Sequence, residues 1–112
     1  MTIASMLAIL LAAALAWAGC LNLTGPDFIR AEFKAWGFPD RLRIVVGALE
    51  WTAAAALLIP PLRLIGCVIA IGILLGVLAT LFRQRQYLRL EYPLVLLSLV
   101  LMVVGTLVQS PT

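Results

Sequence analysis

Histidine is missing from all 112 residues. With it go the commonest proton shuttle near neutral pH and the commonest metal ligand. Charge is scarce as well: charged residues make up 12% of the chain, against about a quarter in soluble domains. A chain this poor in charge cannot cover itself with polar surface, so part of its solvent must be lipid. Only two cysteines occur, Cys20 and Cys67, and no C-x-x-C. That disfavours a thiol oxidoreductase of the vitamin K epoxide reductase type. No metal-ligand cluster, phosphate-binding glycine loop or nucleophile–base pair is present. No basic residue precedes the first apolar run, as a signal peptide requires. Ala18-Gly19-Cys20 has the form of a lipoprotein cleavage site, but Trp17 suits it poorly, and the segment reads as a retained helix.

What is there is apolar sequence, 64% of the chain at a mean hydropathy of +1.15. It falls into four runs, at about 3–23, 44–59, 64–82 and 93–108. Each is near the roughly 20 residues that cross a hydrocarbon core as a helix. Four spans are too few for a barrel, and only helices and barrels satisfy their backbone in lipid. The expectation is an all-α membrane protein, a single domain over 1–112 folded as a four-helix transmembrane bundle. The net charge of +3 does not point to nucleic acid, because the basic residues lie in the connections. Arg30, Lys34, Arg41 and Arg43 fall in the first connection and Arg83, Arg85 and Arg89 in the third. The second holds Arg63 alone. By the positive-inside rule the first and third connections are cytoplasmic and both termini lie outside. Arg outnumbers Lys, and Ala and Leu dominate, which suggests a GC-rich bacterial source and so an inner (plasma) membrane.

The first connection predicts a short interfacial helix over Pro26–Trp36. Thr24-Gly-Pro-Asp27 reads as its start, with Thr24 as cap. Phe28, Ile29, Phe33 and Trp36 share one arc, with Asp27, Arg30 and Lys34 opposite, as in a helix lying on a membrane surface. Glu32 falls within the apolar arc. Either it turns toward the bundle mouth to meet an arginine, or the helix is irregular. Small residues at four-residue spacing, Ala8, Ala12, Ala16 and then Gly72 and Gly76, are read as helix-packing positions. Arg83-Gln-Arg-Gln-Tyr-Leu-Arg89 is read as a topology anchor touching lipid headgroups. Cys20 and Cys67 should lie near opposite ends of the membrane, unpaired.

Glu50 breaks the run Ile44–Ile59 six residues from its inner end, roughly 10 Å deep at 1.5 Å per residue. An acid there costs a few kcal/mol. It must be shielded, paired or kept protonated, and such residues are functional candidates by default. Val46, Gly47, Ala53, Ala54 and Leu57 share its face and turn it inward. At matching depth the other spans offer Trp17, Gly76 and Ser98. The candidate ligand-binding set is therefore Glu50, Trp17, Gly47, Gly76 and Ser98, with Trp17 or Ser98 as hydrogen-bond partner of the carboxyl group. The competing reading is an inter-helix bond that only fixes packing.

Phe33-Lys-Ala-Trp-Gly-Phe-Pro39, Gly47-Ala-Leu-Glu50 and the Leu58-Ile-Pro-Pro-Leu-Arg63 turn with Gly66 resemble the DoxX-like family. That resemblance implies a small integral membrane protein. Some relatives are linked to thiosulfate:quinone oxidoreduction and to membrane redox complexes, and a similar fold serves an animal receptor-assembly chaperone. Relatives often place a polar residue near the inner end of span three, where this chain has only Thr80 in Leu78-Ala-Thr-Leu-Phe82. Three functions compete. The first is a membrane subunit binding a small apolar ligand beside Glu50, a quinone being the cofactor the resemblance suggests. The second is an assembly factor or scaffold, with a membrane or peripheral protein as partner. The third is a proton-coupled exporter like the small multidrug resistance proteins, which carry their glutamate in the first span and show weak charge bias. None requires the isolated chain to be an enzyme, and the lipid bilayer is a partner in all three.

Overall fold

A computed structural model describes residues 2–109. All its regular structure is helical, and no strand occurs among the described residues. Helix α1 spans Ile3–Thr24, α2 Asp27–Ala35, α3 Asp40–Leu58, α4 Arg63–Arg83 and α5 Glu91–Gln109. Short 3-10 turns at Pro60–Leu62 and Tyr87–Arg89 lead into α4 and α5. Each apolar run falls on one helix, the second passing the end of α3 by one residue, Ile59. Helix α3 begins well before its run, because Pro39 provides an extended entry and Asp40 a first-turn acid.

The breaks follow local chemistry. The Thr2 hydroxyl accepts from the Ser5 N–H at 3.0 Å and caps α1. Gly25 ends α1 in the left-handed region, φ 62°, where only glycine is free of strain. Thr24 is not the cap of α2. It completes α1, its hydroxyl bonded to the Cys20 carbonyl at 2.7 Å. Pro26 takes the cap position of α2 without a side-chain hydrogen bond. Pro60-Pro61 cannot continue a helix, and the chain reverses there.

The four long helices close a ring in the order α1, α3, α4, α5 and back to α1. Helices α1 and α3 run antiparallel and make the most extensive contact. Leu11, Leu15, Leu57, Cys67, Val100 and Val103 are fully buried and form a core at the end of the molecule marked by the Pro60 turn. Toward the opposite end α1 and α3 stay together, and a cavity opens between them and the other two long helices. Helix α2 lies across that end, packs on α3 and buries none of its own residues. Three helices are long and apolar enough to cross a membrane: α1, α4 with its leading turn and α5 with its leading turn. Helix α3 is of similar length but carries Asp40, Arg41, Arg43 and Glu50. Cys20 and Cys67 are both free thiols, the first exposed and the second buried.

Candidate functional site

Helix α3 approaches α1 closely because glycines face each other. A Cβ on Gly19 would collide with the Trp51 indole, and one on Gly47 would sit 2.9 Å from Leu23 and 3.1 Å from the Gly19 carbonyl oxygen. That approach brings the polar residues of the two helices into one line. Asn22 Nδ2 donates to Glu50 Oε1 at 2.5 Å. Arg43, only 2% exposed, donates through Nη1 to the Asn22 and Leu23 carbonyls. Its Nε and Nη2 bond Asp40 Oδ1 and Oδ2 at 3.1 Å each. The guanidinium thus satisfies carbonyls that the end of α1 leaves open. Its hydrogen bonds also hold the exposed Asp40 carboxyl below the usual carboxylate range. Arg43 and Glu50 do not bond each other; Asn22 connects them, by its carbonyl to one and its amide to the other.

Glu50 is 5% exposed, in the turn-inward set with Gly47, Ala53, Ala54 and Leu57, all buried. Its Oε2 receives no hydrogen bond among the described residues. The side chain forms part of the wall of a cavity of about 1180 Å³ at the splayed end of the ring. The walls are largely aliphatic and aromatic. Gly72 and Gly76 of α4 line it, and a Cβ on either would meet nothing within 4 Å. Phe28 and Phe33 of α2 and Trp36 just after it cover one side, and Tyr92 and Pro93 of α5 another.

Two arginines hold the cover in place. Arg89 Nη2 pairs with Glu32 Oε1, so the acid within the apolar arc of α2 does turn to the mouth and meet an arginine. The Arg89 guanidinium also lies 5.7 Å from the Trp36 ring centroid, and that of Arg83 lies 5.6 Å from the Phe38 centroid. Phe33, Trp36 and Phe38 pack on one another at 5.7 to 6.4 Å between centroids. Trp36 Nε1 is enclosed without a hydrogen-bond partner.

Of the five residues singled out from sequence, Glu50, Trp17 and Gly76 line the cavity. Gly47 lies behind Glu50 as the close-approach point to α1. Ser98 does not reach the cavity: it is exposed and returns its hydroxyl to the Leu94 carbonyl at 2.9 Å. Trp17 is 67% exposed and gives Glu50 no hydrogen bond. The partner is Asn22, one helical turn further in than Trp17. Matching by backbone depth missed it because Cα–Cβ bonds tilt toward the N-terminus of their own helix. In an antiparallel pair, Asn22 therefore leans outward and Glu50 inward until they meet. The signal was available, since Asn22 is the one amide in the apolar part of the first helix.

No group of three or more Cys, Asp or Glu side chains that could hold a metal ion occurs among the described residues. The chemistry on view is one buried carboxyl group, an amide that orients it, and a large apolar cavity beside it. No curated protein and no solved structure matches the chain significantly. A model of the DoxX-like family matches residues 6–103, which takes in α2, α3 with its Gly47–Glu50 element, α4 and most of α1 and α5, and the chain is a membrane protein belonging to that family.

Proposed function

We propose that the chain is a four-span integral membrane subunit that binds a small apolar or quinone-like ligand in the cavity beside Glu50. Helix α3 is the fourth span. Its charges at Asp40, Arg41 and Arg43 lie ahead of the apolar run, and Glu50 is turned inward, while Ile44, Val45, Leu49, Trp51 and Leu58 stay exposed as a lipid-facing surface. Helix α2 lies at the inner interface with its aromatic face toward the bundle mouth. The charge distribution puts that end in the cytoplasm and both termini outside, in an inner (plasma) membrane. The observation that carries the ligand reading is the cavity itself. It is wide, largely apolar and bordered by a carboxyl group with an uncommitted oxygen. Pockets for small molecules have that character, apolar walls with a few fixed polar groups.

The test is to fill the space without disturbing the fold. Gly76→Leu projects into open volume, so the variant should fold and unfold like the parent. Decylubiquinone titrated into protein in nanodiscs should quench tryptophan fluorescence saturably in the parent. In Gly76→Leu the saturable part should weaken by about tenfold or more, equivalent to ~1.4 kcal/mol. Equal quenching in both proteins would remove the cavity as the binding place and leave the scaffold reading in its stead.

A further inference from the structure

We infer that the cavity discriminates by charge and takes a lipophilic cation, a hydrophobic amine or onium compound, with Glu50 as its counter-ion. This rests on the reading that the cavity binds a membrane-soluble ligand and names that ligand's class.

The argument begins with which charges are already used. Arg43 is the cation nearest Glu50 along α3, and all of its bonds go to Asp40 and to the end of α1. Arg89, in the 3-10 turn ahead of α5, is the one cation on the cavity wall among the described residues, and it is committed to Glu32 and Gln86 while stacked over Trp36. Helix α1 presents Asn22 to Glu50, which is neutral. Helix α4 presents Gly72, Gly76 and Thr80, and the Thr80 hydroxyl is donated to the Gly76 carbonyl. Helix α5 adds Glu91 and Tyr92, and no cation pairs with Glu91 among the described residues. The wall therefore holds three carboxyl groups, Glu32, Glu50 and Glu91, against one guanidinium. An anionic head would meet Glu50 and Glu91 with no free cation to receive it.

The remaining lining suits a cation with a greasy body. Trp17, Phe28, Phe33, Trp36, Phe38 and Tyr92 contribute aromatic surface, and ring faces attract cations, more strongly where water is excluded. A buried carboxylate without a partner is costly in lipid, and a ligand cation supplies the missing charge. The aliphatic stretch from Val68 to Val77 on α4 takes the body of the ligand.

The test uses probes of equal shape and opposite charge: tetraphenylphosphonium and tetraphenylborate, measured calorimetrically on the full chain in nanodiscs after subtracting empty nanodiscs. The parent should bind the phosphonium about tenfold or more tighter than the borate, the scale of one partly screened charge pair. Glu50→Gln, which keeps a partner for the Asn22 amide, should lose most of that preference while holding parent helicity. If Glu50→Gln does not fold, Glu91→Gln reads the same field from the exposed mouth and should reduce the preference severalfold. Borate binding as tightly as phosphonium would overturn the inference, as would a folded Glu50→Gln that keeps the full preference. Saturable decylubiquinone binding with no phosphonium binding would overturn it while leaving the proposed function standing. Failure of every probe would take both down.

Discussion

Asn22 joins the two halves of the polar architecture, its main-chain carbonyl accepting from Arg43 and its side-chain amide donating to Glu50. Removing one partner of a buried hydrogen bond costs more than removing both, because the survivor stays desolvated. Asn22→Leu should therefore destabilise the protein by about 1–3 kcal/mol in a reversible unfolding assay in mixed micelles. Adding Glu50→Leu should restore most of the loss, giving a clear interaction term in the double-mutant cycle. Additive losses would mean that the pair is not coupled. Arg43 belongs to the same unit. Its guanidinium forms a fork on Asp40 and reaches two carbonyls at once, which an ammonium cannot do. Arg43→Lys should keep the charge yet lose about 1–2 kcal/mol, read in the same assay, since at least two charge-assisted bonds go unmade. A parent-like Lys variant would reduce Arg43 to a topology charge. Glu50 was conspicuous in the sequence because it was the lone charge in an apolar run. Its partner was not, because a depth count along helix axes ignores where side chains lean.

At the scale of elements, the glycines separate into two kinds that sequence spacing does not distinguish. Gly19, Gly47 and Gly66 sit where backbones nearly touch; a Cβ on Gly66 would lie 2.9 Å from the Ala53 carbonyl oxygen. Gly72 and Gly76, with the more suggestive four-residue spacing, touch nothing and shape the cavity instead. Spacing shows that a close approach is allowed, and only the partner helix decides whether it occurs. Gly47→Ala should cost about 1–3 kcal/mol, as overpacking against backbone does. Gly72→Ala should be neutral or slightly stabilising, as alanine favours helix by up to about 1 kcal/mol. Equal effects at both positions would show that α1 and α3 have room to part. Helix α2 is a different kind of element. It has no buried residue, and it is bounded by Gly25 at φ 62° and Gly37 at φ 81°. Its hold on the far side of the mouth is the Glu32–Arg89 pair and the stacking of Arg83 and Arg89 on its aromatic cluster. Arg89→Ala should leave global unfolding within about 0.5 kcal/mol, as expected of an exposed pair. It should nonetheless speed backbone hydrogen exchange across 27–35 severalfold, because low-stability segments open independently of the core. Unchanged exchange there would mean that packing on α3 alone secures the helix.

The molecule as a whole was the part best written in the chain. Helix number, order and breaks follow from four apolar runs and from Gly25, Pro39 and Pro60-Pro61, and the family match over 6–103 agrees with the residues that carried the resemblance. Burial of Glu50 followed from the same logic, since lipid forbids the alternative. A small pocket beside Glu50, with space left by Gly76, was read from the sequence; the size of the cavity was not. The cavity arises because the α1–α3 pair and the other two long helices pack tightly at the Pro60 end and splay at the other, and no local pattern encodes a divergence between helices that are far apart in sequence. Orientation rests on charge: seven of eight basic residues fall at the splayed end, and positive loops are retained in the cytoplasm. The charges that keep α3 from standing out as a span, Asp40, Arg41 and Arg43, sit at that same end. If α3 crosses, Lys34 on α2 is cytoplasmic, Leu62 at the Pro60 turn is outside, and Val108 near the end of α5 is outside as well. Single cysteines at these three exposed positions, in a Cys20→Ala background with buried Cys67 retained, decide the matter in intact spheroplasts. A membrane-impermeant maleimide should label Leu62→Cys and Val108→Cys at once and Lys34→Cys only after lysis. Labelling of Lys34→Cys and Leu62→Cys from the same side would show that α3 does not cross, and labelling of Lys34→Cys alone would invert the whole bundle.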